Sequence, residues 1–466
     1  MISFPPELML RIFGYLEGSR TSLEACCLVC HAWLPLAQPL VFADLSLTRQ
    51  SQYYSCIRKF TAYPHLTGYV TSLTLGGGKW PGDERQVVSS QPSQPSPLVE
   101  PPTLELIRQF TNVRSLKIYG FPSLRKTEIE VLCRFPQMEC LEMCNVAFEQ
   151  PEDLLDLTSQ MVGLKSLGIA EISIGESHQA ESRRIGSVLH NHVDPVPKRL
   201  RHLYLQDITH SLYIFSWLSG SAFDLSGLTE LTLLSKCSLE TLHREVPQNF
   251  PIYVAPFISI VGVGIKHLCL DMELLRPHRP GIKVNHMLDY CISTAALENF
   301  TALETLDIRS ENPYVVNDAS CLHDIQRLLR HVTFRKLWNI CIAIHFVLEK
   351  PIDFPFYQDL PVWADLDNLL GSPNFPSLLR VVFDIDIDNG HWYFLKDLFT
   401  YLSESPKDDD EPDAHATRPV VTENPWPDDP PMMDDVVAMI KERMPTVASR
   451  GLLEFCLLVD EDDDGG

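Results

Sequence analysis

Val113-Arg114-Ser115-Leu116-Lys117-Ile118 is followed, 25 residues on, by Met138-Glu139-Cys140-Leu141-Glu142-Met143, and 26 residues after that by Leu164-Lys165-Ser166-Leu167-Gly168-Ile169. The shared pattern is an apolar residue, two variable positions, Leu, one variable position, then Leu, Ile or Met. It recurs as Val70-Leu73-Leu75, Leu200-Leu203-Leu205, Leu228-Leu231-Leu233, Ile265-Leu268-Leu270 and Leu303-Leu306-Ile308. Weaker copies are Phe42-Leu45-Leu47, Leu378-Val381-Phe383 and Leu452-Phe455-Leu457, and Phe334-Leu337 begins another that decays. The last two apolar positions are two residues apart, the period of a strand with one buried face. Between copies lie stretches at helical spacing, such as Thr127 to Phe135 and Asp318 to Val332 with Leu322, Ile325, Leu328, Leu329 and Val332. One strand and one helix per repeat predict an α/β solenoid, in which each unit buries its apolar face on its neighbours.

This pattern resembles an irregular form of the leucine-rich repeat. Regular repeats carry Asn or Cys three residues after the last Leu. Here those positions are Gly78, Phe121, Val146, Ile172, Ile208, Lys236, Glu273 and Glu311, so the polar ladder is missing. The resemblance implies a binding surface on the outward strand residues that flank the buried Leu positions. These are Lys117, Tyr119, Glu142, His202, Tyr204, Gln206, Thr232, Asp271, Asp307 and Arg309, the candidate substrate surface.

Two stretches interrupt the pattern: 76–102, with three consecutive glycines and a Gln/Pro/Ser run, and 403–431, rich in Pro and acid. A helix with Val436, Val437, Ile440 and Met444 as its apolar stripe and a strand from Leu452 to Val459 are expected beyond them. An acidic tail, 460–466, follows.

The first forty residues read differently. Phe4-Pro5-Pro6-Glu7-Leu8-Met9-Leu10-Arg11-Ile12-Phe13-Gly14-Tyr15-Leu16 opens with prolines suited to a helix start and sets Leu8, Ile12 and Leu16 at i, i+4 and i+8. Thr21-Ser22-Leu23-Glu24 spells a capping box for a second helix carrying Leu23, Cys27, Leu28 and Cys30 inward. A third helix is expected over Leu36 to Phe42. Three short helices cannot hide this much apolar surface, and an exposed apolar face marks an interface.

The segment closely resembles an F-box at Pro5, Glu7, Leu8, Ile12, Phe13, Leu16, Leu23, Val29, Cys30 and Trp33, with Phe4 in place of the usual Leu and Ser22 in place of a common Asp. An F-box at the N-terminus followed by Leu-rich strands looks like the large F-box families of fungi. The resemblance implies binding of a Skp-type adaptor, and through it a cullin scaffold, with Pro5, Leu8, Ile12, Leu28 and Trp33 as adaptor contacts. It divides the chain into an F-box domain, 1–44, and a repeat domain, 45–459. It implies a receptor subunit of a ubiquitin ligase, or alternatively a scaffold that binds partners without promoting ubiquitination.

Composition bounds the partners. With 38 Lys+Arg against 61 Asp+Glu, the net charge is −23. That disfavours sequence-independent nucleic-acid binding and docking on anionic lipid. The acid is concentrated: Glu404 to Asp435 holds 11 acids and two bases, and Asp460 to Asp464 holds five acids. The remaining body is mildly acidic. Thirteen Cys in 466 residues is far below disulfide-scaffold density. With no basic leader and an apolar run, Phe250 to Ile265, broken by Pro251 and Pro256, the expectation is a soluble cytoplasmic or nuclear protein.

Several motifs are set aside. Cys27-Leu28-Val29-Cys30-His31 spells a haem attachment motif, but its residues are absorbed by the helical segment. Zinc at Cys27 and Cys30 lacks a second ligand pair, and Cys140 and Cys144 lie on a strand. His190 and His192 read as surface residues. Gly76-Gly77-Gly78-Lys79 is followed by Trp80 rather than Ser or Thr, unlike a phosphate loop. Asp384 to Asn389-Gly390 lacks the Glu of a calcium loop, where Leu395 stands. No catalytic, metal or cofactor site is expected.

Overall fold

The computed structural model describes residues 5–16, 18–76, 101–175, 188, 197–207, 213–234, 250–271, 287–309, 320–331, 334–347, 358–388 and 433–457. The chain divides into two compact units: 1–232 with 252–261, and 233–251 with 262–466.

The first unit begins with α1 (Pro6–Gly14), α2 (Arg20–Val29) and α3 (Leu34–Ala43). Pro6 at the first helical position costs no hydrogen bond. The capping box expected at Thr21 is not used. The second helix starts two residues earlier, at Arg20, with Ser19 in place of Thr21 at its N-cap and the Ser19 and Ser22 hydroxyls 2.7 Å apart. Met9, Phe13, Leu23, Ala37 and Val41 make a small core, with Leu16, Cys26, Cys27, Trp33, Leu36, Leu40 and Phe42 packed around it.

Without a break, α3 runs into β1 (Asp44–Leu47), which pairs in parallel with β2 (Ser72–Gly76). Then come β3 (Ser115–Leu124), β4 (Cys140–Phe148), β5 (Ser166–Ala170), β6 (Ser173–Ile174), β7 (Lys198–Arg199), β8 (His202–Gln206), β9 (Phe223–Asp224) and β10 (Glu230–Leu234), within which the division at 232 falls. The strands β1 to β5 and β8 pair side by side, all parallel. Their intervening helices are α4 (Gln50–Ala62), α5 (Pro101–Ile107), α6 (Lys126–Leu132) and α7 (Pro151–Ser159), followed by α8 (Tyr213–Leu218) and α9 (Phe250–Val261). Pro101 and Pro102 open α5, so the first interruption ends two residues sooner than expected.

The repeat frame is realised in the register. Leu45, Leu73, Leu116, Leu141, Leu167 and Leu203 stand opposite one another across six strands. All are buried, each worth about 1.5–3 kcal/mol of apolar transfer. A second ladder precedes the strands: the N–H of Arg114 bonds to the carbonyl of Thr71 at 2.7 Å, Glu139 to Arg114 at 2.8 Å, Lys165 to Glu139 at 2.8 Å and Arg201 to Lys165 at 2.7 Å.

The missing Asn/Cys ladder has a structural replacement. Four residues after the central Leu, the chain turns through positive φ at Gly120 (68°), Asn145 (53°), Glu171 (51°) and Asp207 (48°). The next residue, Phe121, Val146 or Ile172, is buried. A left-handed residue thus makes the bend, and an apolar side chain fills the position that regular repeats give to a polar one. Gly76 (φ 107°) turns at the end of β2, where a Cβ would lie 1.8 Å from the Tyr119 carbonyl oxygen.

The second unit contains β11 (His267–Asp271), β12 (Thr305–Arg309), β13 (Asn339–Val347), β14 (Arg380–Asp388) and β15 (Leu453–Leu457), parallel and in that order. Its helices are α10 (Met287–Ser293), α11 (Ser320–Arg330), α12 (Val362–Leu370), α13 (Met433–Arg443) and α14 (Pro445–Ser449). Leu268, Leu306, Ile340, Val381 and Leu453 are in register. This corrects two sequence frames. The copy that seemed to decay after Phe334-Leu337 is Leu337-Ile340-Ile342, and the last copy is framed on Leu453 rather than Phe455. In α13, Val436 and Ile440 are buried as expected, Met439 joins them and Val437 is half-buried; Met444, also buried, lies just past the helix at the N-cap of α14.

Most of the expected interruption 76–102, all of 403–431 and the tail 460–466 lie outside the described residues. So do Gly78, Ile208, Lys236, Glu273 and Glu311, and also Lys79, His190, His192, Asn389 and Leu395. The architecture is α/β: three N-terminal helices followed by parallel strands alternating with helices.

Candidate functional site

Two surfaces of the first unit stand out, one helical and one on the strands.

In α1, Met9 and Phe13 point into the small core, and the residues one helical step away face outward. Leu8 is 48% exposed and Ile12 47%, and Tyr15, on the same face, is 80% exposed. Leu28 on α2 is 87% exposed, and its neighbour Val29 and Leu34 of α3 are also open. Leu28 and Cys30 therefore do not point inward as the helical reading placed them; Leu23, Cys26 and Cys27 supply that contact. Pro5 is exposed at the N-cap of α1. Trp33 is half-buried, its ring edge-on to Phe13 with centroids 5.4 Å apart, so it spans the core and the surface. Tyr15, Val29 and Leu34 were missed from sequence, although Tyr15 is i+7 from Leu8 and so on its stripe.

The strand surface is polar and paired within itself. Lys117, Glu142, Gly168 and Tyr204 stand in one row across β3, β4, β5 and β8. The Lys117 Nζ lies 2.9 Å from Glu142 Oε2, and the Tyr119 hydroxyl donates to the same oxygen at 3.2 Å. His202 Nε2 is 3.5 Å from Glu230 Oε1, and Tyr204 donates to Gln206. Thr232 is half-buried on β10. In the second unit, Arg309 Nε lies 3.3 Å from Asp307 Oδ2, both half-buried.

Three of the ten expected surface residues are not at the surface: Tyr119 and Gln206 are 6% exposed and Asp271 1%. Gln206 and Asp271 end their strands, and Tyr119 stands level with Gln206 across the sheet, just before the left-handed turn at Gly120. Tyr119, Cys144 and Ala170, neighbours there in register, pack on one another and close the surface at that level.

Burial and the Asp307 carboxylate push Cys269 well above the usual thiol range, and burial pushes Cys341 up to about 12. High thiol pKa values leave little thiolate to attack or ligate. Among the described residues no cluster of three or more His, Cys, Asp or Glu could hold a metal, and no helix is long and apolar enough to cross a membrane. Cys140 lies half-buried and Cys144 buried on β4. Asp384 of β14 is half-buried between the fully buried Phe383 and Ile385, in a strand paired on both sides rather than a loop.

Residues 1–47 match the family described as F-box-like. No curated protein matches the chain. Among solved structures, one similar in part is the Rad7 and Elc1 complex in yeast, at 12% identity over 83% of this chain and 90% of that one, with a TM-score of 0.32. Another is an internalin, InlF, from Listeria monocytogenes, at 12% identity over 70% of this chain and 77% of that one, with a TM-score of 0.22.

Proposed function

We propose that this chain is the substrate-recognition subunit of a Skp–cullin–F-box type ubiquitin ligase. The observation that carries the reading is the N-terminal module: an F-box-like segment whose core residues are buried while Leu8, Ile12 and Leu28 stay half to fully exposed. An apolar stripe left open by a complete core is what a helical adaptor would cover. In this reading Pro5, Leu8, Ile12, Leu28 and Trp33 meet a Skp-type adaptor, and the adaptor joins a cullin. The module occupies residues 1–44, and residues 45–459 present the substrate surface. Lys117, Glu142, His202, Tyr204, Thr232, Asp307 and Arg309 are the accessible candidates for a polar protein substrate. The chain itself is non-catalytic; it raises the effective concentration of substrate at a ubiquitin-charged partner. Such a protein works in the cytosol or nucleus, and its layout is that of fungal F-box proteins.

Affinity purification of the full chain with mass spectrometry tests this in one step. The adaptor and a cullin are expected in the wild-type eluate and lost with Leu8→Ala plus Ile12→Ala. An adaptor retained at wild-type level in the double variant would remove the proposed face.

A further inference from the structure

The C-terminal segment of the second unit returns to the strands after a stretch of 44 residues, 389–432, and its contacts are unusually specific. Asp367 of α12 is 4% exposed. Its carboxylate accepts two backbone N–H groups of the returning segment, Thr446 at 3.0 Å and Val447 at 2.8 Å. In the other direction, Arg450 donates to the carbonyl of Gly371 at 3.2 Å, at the end of α12. At Gly371 the segment comes so near that a Cβ would lie 2.7 Å from Thr446 Cγ2. Val436, Met439, Ile440, Met444 and Val447 are buried. Phe455 stacks on Phe383 with centroids 6.1 Å apart, and Lys441 Nζ sits 5.4 Å from the Phe455 centroid. The Val381 N–H bonds to the Leu452 carbonyl at 2.8 Å, which sets the strand register.

We propose that residues 433–457 dock as a closing repeat through their own contacts with α12 and β14, latched by Asp367, so that the covalent link to the rest of the chain is not needed for docking. The site is thus a binding surface whose ligand is an amphipathic helix–turn–strand peptide, supplied by this chain. Such a unit covers the apolar side of β14 and occupies its pairing edge through β15. A carboxylate buried against two N–H groups gives charge-assisted bonds, and its loss leaves both donors unpartnered.

The test uses the full chain with a specific protease site inserted after Ala414. After cleavage, the C-terminal piece is expected to co-elute with the remainder on gel filtration at low micromolar concentration. In the cleaved Asp367→Ala variant the dissociation constant should rise on the order of 100-fold, and in Asp367→Asn, which keeps one acceptor, on the order of tenfold. Gly371→Ala should also weaken docking, although alanine suits the right-handed backbone there. Circular dichroism of each uncut variant confirms folding, and Asp367→Asn decides the matter if Asp367→Ala fails to fold. Separation of the wild-type pieces at tens of micromolar, or equal retention in wild type and Asp367→Asn, would overturn the proposal.

Discussion

The helical module and the strand face of the first unit solve the surface problem in opposite ways. The module leaves Leu8, Ile12, Tyr15 and Leu28 open, with apolar side chains that water does not favour. The strand face shows polar groups that already bond to one another: Lys117 and Tyr119 to Glu142, His202 near Glu230, Tyr204 to Gln206. An unpaired apolar stripe announces a partner, because covering it releases free energy at once. A self-satisfied polar face announces nothing, because a ligand must first replace bonds that exist. One surface therefore has a legible role, and the other has only legible geometry.

The contrast can be broken from the inside. Phe13 is 1% exposed and meets Trp33, so Phe13→Ala should destabilise the module by about 3–5 kcal/mol. A thermal melt checks this, and adaptor binding should fall with the fold rather than at constant stability. A smaller break is expected at the strand ends. Gly76→Ala places a Cβ against the Tyr119 carbonyl at a backbone angle that L-residues avoid, and should cost about 2–3 kcal/mol by urea unfolding. An unchanged midpoint would mean the β2 turn is not built as described.

Glu142→Ala sharpens the comparison on the polar side. The pair with Lys117 is only partly shielded, so a stability loss of about 1 kcal/mol or less is expected. A larger change in substrate capture than in melting temperature would give this face its role. The smallest effect concerns Glu128 in α6, which is 2% exposed. Burial raises its carboxyl pKa, partly offset by the Arg125 N–H and guanidinium. The folded chain holds that proton to higher pH than the unfolded chain, so this contribution is complete below the ordinary carboxyl range. It is lost as pH rises through the raised value. Glu128→Gln should flatten that part of the stability–pH curve.

Much of this was readable from residues alone. Leu spacing identified the strands because parity and burial coincide when one face is covered. The copy at Leu337-Ile340-Ile342 was hidden by its β-branched residues, which fill the same ladder positions as Leu. The turn was overlooked for a different reason. Gly120, Asn145 and Asp207 are residue types that tolerate positive φ and share one offset, but Glu171 breaks the pattern and masks it. Parity alone does not account for Tyr119, Gln206 and Asp271, because outward-pointing residues at the level of the turns are covered by neighbours rather than by water. Leu28 carries two expectations, inward on its helix and outward as an adaptor contact; its exposure rules out the first, because apolar character does not mean burial at an interface.

The central claim is that the open apolar stripe binds an adaptor. Its most direct test is calorimetric titration of the purified chain with a purified Skp-type adaptor, comparing wild type with Leu28→Asp. At 87% exposure Leu28 contributes little to the fold, so the melting temperature should not move. The account predicts saturable one-to-one binding by the wild type and an affinity loss on the order of 30-fold or more in the variant. Equal affinities, or no binding by a folded wild-type chain, would contradict it.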